Sequence, residues 1–313
     1  MNPLAVVLEA PERLDVRPVS LAAPLDGDVI VDVEWSGIST GTERLLYTGA
    51  MPEFPGMGYP LVPGYECVGR VMKDDASSGL KEGDRVFVPG ARCFGDIKGL
   101  FGGSASRVVT PAARVVRVAD DLGEEATLLA LAATAHHAVA MPGAQLPELI
   151  VGHGVLGRLL ARITVALGGN PPVVWETSES RRSGAQGYKV IDPAEDTARG
   201  YASVCDASGA ADILDTLIGK LSPGGEIILA GFYEARLGFD FPPAFMREAR
   251  IRIAAEWKEQ DLHDTVRLIS DGKLSLAGLI THHSCALEAS SAYRTAFNDP
   301  DCLKMILDWR SAK

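Results

Sequence analysis

Between residues 148 and 176 the chain reads ELIVGHGVLGRLLARITVALGGNPPVVWE, and no other stretch so narrows what it can fold into. A short apolar run, LIV, enters three glycines, Gly152, Gly154 and Gly157, spaced as G-x-G-x-x-G. Leu159, Leu160, Ile163 and Leu167 then recur at helical spacing, with Arg158 and Arg162 on a more polar stripe. A second apolar run, VVW, ends in Glu176. Strand, glycine turn, helix and strand make one βαβ unit, and each glycine has a physical task there. The first allows the tight turn, the second lets main chain approach a pyrophosphate, and the third lets the helix lie close to the strand. The amides of Val155 and Leu156, at the amino end of the helix, face the phosphates. Glu176 stands nineteen residues beyond Gly157, where an acid receives a ribose 2′-hydroxyl, and so favours NAD over NADP. Arg181 and Arg182 follow closely and are able to pair with a 2′-phosphate, which keeps NADP open. A structural turn with an ordinary surface acid is the plainer alternative.

Further strand-and-helix pairs follow: KVID, SVCDAS, EIILAGF after the turn SPGG, and IRIAAEW as a sixth strand. Short buried runs alternating with helices predict a doubly wound parallel α/β sheet. Other cofactor contacts are expected at the carboxyl ends of these strands, from Ser208, Gly231, Phe232 and Ala255. Each is equally readable as a plain strand-end residue.

The first 118 or so residues have another texture, dense in Gly and Pro, with DVIVDVEW, ECVGRVM, DRVFVPG and ASRVVTP as strands of a barrel or sandwich. From Asp120, DDLGEEATLLALAATAHHAVA has helical periodicity. A net charge of −11 argues against nucleic acid as a partner. The five cysteines show no C-x-x-C spacing, so neither a disulfide framework nor a cysteine-rich zinc lobe is expected. No signal peptide or membrane span is read from the sequence, and a cytoplasmic protein is expected.

Taken together, SGISTGTE (36–43), PGYECVGRV (63–71), KEGDRV (81–86), TAHHAV (134–139), the glycine turn and LITHHSCALEASSAYRTAF resemble the medium-chain dehydrogenase/reductase superfamily over essentially the whole length. The resemblance implies a GroES-like catalytic domain over 1–120, completed by 259–313, and a Rossmann NAD-binding domain over 121–258. In zinc-dependent members a Cys and a His hold the catalytic metal. Here the Cys position falls on Ser39 or Thr40 and the His position on Tyr65, so the resemblance implies a zinc-free member. Longer stretches, among them FPGMGYPLVPGYE and FPPAFMREAR, resemble the branch that acts on bacteriochlorophyllides in bacteriochlorophyll biosynthesis. That branch oxidises a 3-(1-hydroxyethyl) group on the magnesium tetrapyrrole to 3-acetyl with NAD. A place on the surface of the photosynthetic membrane is left open, and a homodimer is expected.

Without a metal, the alcohol oxygen must be met by hydrogen bonds and a general base. Tyr65 and Glu66 are the candidates to contact the oxygen or accept its proton, and Thr40 and Thr42 are candidates for relaying it. As a base, Tyr65 needs a depressed pKa. Packing or turn-forming roles compete for each. Tyr47, Phe54, Met57, Tyr59, Phe94 and Phe101 are candidates to line a pocket for the flat macrocycle. Cys67 reads as a small buried hydrophobe. A zinc-free quinone or enoyl reductase, and a pigment-binding protein without catalysis, are the rival readings.

Overall fold

The computed structural model describes residues 2–73, 78–233 and 235–312. The chain divides into two units, Met1–Ala130 with Leu279–Lys313, and Leu131–Gly278. The first unit holds β1 (Leu4–Ala10), β2 (Arg13–Pro18), β3 (Asp28–Ile38), α1 (Thr42–Thr48), β4 (Leu61–Pro63), β5 (Cys67–Val71), β6 (Arg85–Val88), β7 (Lys98–Leu100), β8 (Arg107–Pro111) and β9 (Val116–Arg117). Then follow α2 (Leu129–Ala140), β10 (Leu149–Val151), α3 (Val155–Ala166), β11 (Val173–Trp175), β12 (Lys189–Ile191), β13 (Tyr201–Asp206), α4 (Leu214–Lys220), β14 (Leu221–Leu229), α5 (Phe241–Met246), β15 (Arg250–Ile253) and α6 (Glu259–Ser270). The tail carries β16 (His282–Cys285), α7 (Ala289–Asn298) and β17 (Met305–Asp308).

In the first unit one sheet runs β16-β17-β3-β5-β6-β9, with β8 also on β3, and a second runs β2-β1-β4-β7. The long β3 alternates buried valines (Val29, Val31, Val33) with less buried residues, as a strand with one core face should. The tail enters this core directly. β17 pairs antiparallel with β3, Met305 opposite Ile38, while Tyr293 and Ala296 of α7 are buried in the same cluster as Val31 and Val33.

The second unit is a parallel sheet in the order β12-β11-β10-β13-β14-β15. The order reverses beside β10, so the crevice over its carboxyl end is the topological switch point of a doubly wound α/β fold. The turn SPGG lies within β14 as an irregularity, with Gly224 at φ 74° and the register against β13 shifted there. Among the described residues, no helix is long and apolar enough to cross a membrane.

Two expectations need correction. The α-helix does not start at Asp120; residues 120–128 form tighter turns interrupted by Gly123 (φ 52°, ψ −131°), and α2 begins at Leu129. The tail that joins the first unit starts at 279, not 259, because α6 belongs to the second unit. Asp261 in the first turn of α6 accepts hydrogen bonds from His136 Nδ1 (2.9 Å) and His137 Nδ1 (2.8 Å), both on α2. That shared carboxylate gives the two histidines their structural partner.

Candidate functional site

In the first unit the chain leaves β3 at Ile38 and turns through Ser39–Gly41 into α1. The fully buried Glu43 fixes this turn: its Oε1 accepts from the Ser39 amide at 3.1 Å and its Oε2 from the Tyr293 hydroxyl of α7. Burial pushes the Glu43 carboxyl up to about 7, against the pull of those two hydrogen bonds. The PGYE turn approaches from β4. Gly64 (φ 96°) is required there, because a Cβ would meet Ser104 Oγ at 2.6 Å. Tyr65 Oη then comes within 2.7 Å of Ser39 Oγ, and its ring stands edge-on to Phe101 at 5.5 Å. Burial, and next the neighbouring Glu66 charge, push the Tyr65 phenol well above its usual range, although hydrogen bonds to Ser39 and Thr42 oppose them. The shift runs opposite to the depressed value that a phenolate base needs.

Glu66 lies fully buried, ion-paired through Oε2 with Lys304, whose ammonium also donates to the Ile38 carbonyl at 3.1 Å. Gly37 makes room for this pair, since a Cβ there would collide with Glu66 Oε2 and stand 2.9 Å from Lys304 Cε. Burial raises the Glu66 carboxyl and the Lys304 ammonium pulls it back. Among the described residues, Glu66 Oε1 has no hydrogen-bond partner. Sequence reasoning missed Lys304 and Tyr293. The signal for Lys304 was a lone cation in the apolar run CLKMIL.

Of the relay candidates, Thr42 is half-buried and hydrogen-bonds Tyr65, whereas Thr40 is exposed. The six pocket candidates have different surroundings, although Tyr47, Met57 and Tyr59 pack against one apolar cluster. Phe101 reaches Tyr65, but Phe94 is buried in the core and Tyr47 packs on Tyr293 and Phe297. Met57 and Tyr59 pack against Leu46, Leu61 and Leu100, with the Tyr59 hydroxyl donating to the Leu46 carbonyl, and Phe54 is exposed. Cys67 is buried with its thiol pushed up to about 12, which makes it chemically inert. No three His, Cys, Asp or Glu side chains among the described residues are grouped to hold a metal ion.

In the second unit, Gly152 takes φ 94°, and a Cβ on Gly157 would collide with the Gly152 carbonyl, so the first and third glycines are sterically required. Gly154 is the N-cap of α3, and a Cβ there would meet no protein atom within 4 Å. Open space over a helix amino terminus is what a pyrophosphate needs, and the residues present fit a dinucleotide. Glu176, at the end of β11, accepts from the His153 amide (3.1 Å) through Oε2 and the Ser178 amide (2.8 Å) through Oε1. Arg182 is committed elsewhere, to the carbonyls of Glu176 and Thr177 and to Asp192. Arg181 offers its own carbonyl to His153 Nδ1 at 2.7 Å. Ser208 follows β13, with its amide bonded to Asp206 Oδ1 at 2.9 Å, beside Gly152. Gly231 lies against Gly209, while Phe232 and Ala255 are exposed.

Residues 25–120 match the alcohol dehydrogenase GroES-like domain. The whole chain is similar to the 2-desacetyl-2-hydroxyethyl bacteriochlorophyllide A dehydrogenase of Cereibacter sphaeroides, 58% identical over 99% of both chains. It is similarly related to the enzyme of that name from Rhodobacter capsulatus, at 55% identity over 100% of both chains. Among solved structures, a short chain alcohol dehydrogenase from E. coli CFT073 complexed with cofactor NADH superposes with a TM-score of 0.83. Its identity is 20%, covering 98% of this chain and 99% of that one. The chain therefore belongs to the 2-desacetyl-2-hydroxyethyl bacteriochlorophyllide A dehydrogenase family of the medium-chain dehydrogenase/reductase superfamily, and is an oxidoreductase acting on CH–OH groups.

Proposed function

We propose that this protein oxidises the hydroxyethyl substituent of a bacteriochlorophyllide to an acetyl group, with NAD as cofactor and without a catalytic zinc. The substrate assignment is supported by the names of two relatives aligned end to end. The choice of NAD is supported by Glu176, whose carboxylate suits a ribose hydroxyl and repels a 2′-phosphate.

One observation carries the metal-free reading: the 2.7 Å contact between the Ser39 and Tyr65 hydroxyls, beside a Glu66 already matched by Lys304. A zinc ion entering there would meet two neutral hydroxyls and a carboxylate whose charge is taken, a donor set that does not fit it.

Bound NAD supplies the hydride acceptor. The residues of this chain handle the proton. Tyr65, held as a neutral phenol, takes the proton of the substrate hydroxyl as it gives its own to Ser39 or Thr42, and the half-buried Thr42 hands a proton on to solvent, so that both hydroxyls relay and neither keeps it. Glu66, locked to Lys304, anchors the turn that carries Tyr65. A homodimer contact is proposed on the edge strand β15 and on α5, where Ile253 is 74% exposed and Phe241, Phe245 and Met246 are uncovered.

The test is NADH formation by chelator-treated protein given NAD and 3-(1-hydroxyethyl) bacteriochlorophyllide a, with the product mass measured. Loss of two hydrogens without added metal is expected. Activity that returns only with zinc would overturn the metal-free reading, and no product under either condition would overturn the substrate.

A further inference from the structure

We infer that His153, the middle residue of the glycine turn, sets the choice between NAD and NADP by clamping the segment that follows Glu176. This rests on the dinucleotide reading above and adds to it a positioning residue for the adenosine end.

The His153 side chain does not face the open space over α3. It is fully buried and stands edge-on to Tyr188, with ring centroids 5.6 Å apart. Nδ1 lies 2.7 Å from the Arg181 carbonyl, which can only accept, so the proton resides on Nδ1. Burial lowers the ring pKa to about 4, and the neutral ring leaves Nε2 to accept from the Tyr188 hydroxyl at 2.9 Å. Arg158 closes the clamp from α3. Its Nε donates to the His153 carbonyl (3.1 Å), and its Nη2 to the carbonyls of Arg181 (3.2 Å) and Ser183 (2.9 Å). Gly184 permits the close approach, because a Cβ there would run into Arg158 Nη1.

The clamp places both arginines that follow Glu176. Arg181 is fixed through its carbonyl by two donors, and Arg182 then reaches back to the carbonyls of Glu176 (2.8 Å) and Thr177 (3.0 Å). A 2′-phosphate needs a cation beside the ribose, whereas a 2′-hydroxyl needs only an acceptor such as Glu176. While the segment is clamped, the acceptor is presented and the guanidinium of Arg182 is occupied. Released, the segment can bring an arginine to the phosphate.

The experiment titrates wild type, Tyr188→Phe, His153→Ala and His153→Asn with NADH and with NADPH by fluorescence, and records their melting temperatures. The ratio of the two dissociation constants, NADPH over NADH, is expected to fall roughly threefold in Tyr188→Phe and about tenfold in His153→Ala, fold-changes on the scale of one lost hydrogen bond. His153→Asn keeps a donor toward Arg181 and is expected to hold the ratio within about twofold of wild type. A purely structural role lowers the melting temperature and weakens both cofactors together, leaving the ratio unchanged; that result overturns the clamp. Should His153→Ala not fold, an unchanged ratio in Tyr188→Phe overturns it alone. Wild type that prefers NADPH sinks the NAD assignment, while the change of ratio among the variants still decides the clamp. Wild type that binds neither removes both.

Discussion

The Lys304 ammonium sits between the Glu66 carboxylate and the Ile38 carbonyl, with all three residues buried. Removing one member of a buried pair strands the other charge, at a cost of about 3–5 kcal/mol. Lys304→Met is expected to lose that much stability in urea unfolding, and the Glu66→Gln/Lys304→Met double variant to recover most of it. Additive losses in the two single variants would show that the pair is not coupled.

Tyr65→Phe keeps the ring against Phe101 and deletes only the hydroxyl. Proton handling of this kind contributes at least ~10²-fold to rate, so kcat is expected to fall by that factor. The NADH dissociation constant is expected to stay the same. Ser39→Ala, which removes one partner of that hydroxyl, should lower kcat by about tenfold, on the scale of a single lost hydrogen bond. Initial-rate kinetics beside cofactor titration separate the two quantities.

Glu43 ties acidity to stability. Its folded pKa of about 7 lies above the ordinary 4.5, so between those values the folded state binds more protons than the unfolded one. Stability from this group is fully present below about 4.5 and declines as pH rises through about 7. His153, lowered from 6.5 to about 4, has the opposite slope over much of the same range, losing stability as pH falls. Wild type alone therefore shows a flattened profile. Glu43→Gln is expected to gain stability relative to wild type as pH is raised from about 5 to 8, and melting curves at matched pH would reveal it. A constant difference across that range would sink the assignment.

Gly154 and Gly157 should respond differently to the same methyl group. Gly157→Ala meets the Gly152 carbonyl and is expected to lower the melting temperature as well as cofactor binding. Gly154→Ala meets no protein atom within 4 Å, so its stability should match wild type while NADH binding weakens by at least about tenfold, from a methyl standing where the pyrophosphate goes. Equal NADH binding in Gly154→Ala and wild type would locate the dinucleotide elsewhere.

If β15 is the contact between two copies, Ile253→Glu should convert a dimer to a monomer in sedimentation equilibrium, because a charge on an apolar contact is left unpaired. A wild type that is itself monomeric would dispose of the dimer proposal.

The parallel sheet was legible because its signals are local: LIV, three glycines and VVWE fall within 29 residues, 148 to 176, and each dictates its neighbour's geometry. The polar cluster of the first unit was legible only in part. Tyr65 and Glu66 sit in a turn whose pattern is visible, but their partners arrive from far along the chain, Lys304 from before β17 and Tyr293 from α7. Periodicity carries no information about such pairings. The surroundings of the aromatic candidates were illegible for a related reason. Gly- and Pro-rich wording marks loops, but whether Tyr47 faces a pocket or packs on Phe297 depends on α7, which lies more than two hundred residues later. The placement of α6 was misjudged because a helix has no intrinsic allegiance; the contact of Asp261 with His136 and His137 decides it.

The interruption of one unit by the other has a consequence for the ribosome. Residues 131–278 emerge as one uninterrupted run, whereas Glu66 must await a cation encoded at position 304. Until that lysine is made, closing the first unit around Glu66 would bury an unmatched carboxylate, which is strongly unfavourable. Synthesis thus favours an order in which the cofactor-binding insertion folds first. The earlier-made strands then wait, partly open, for the last segment to supply their missing charge.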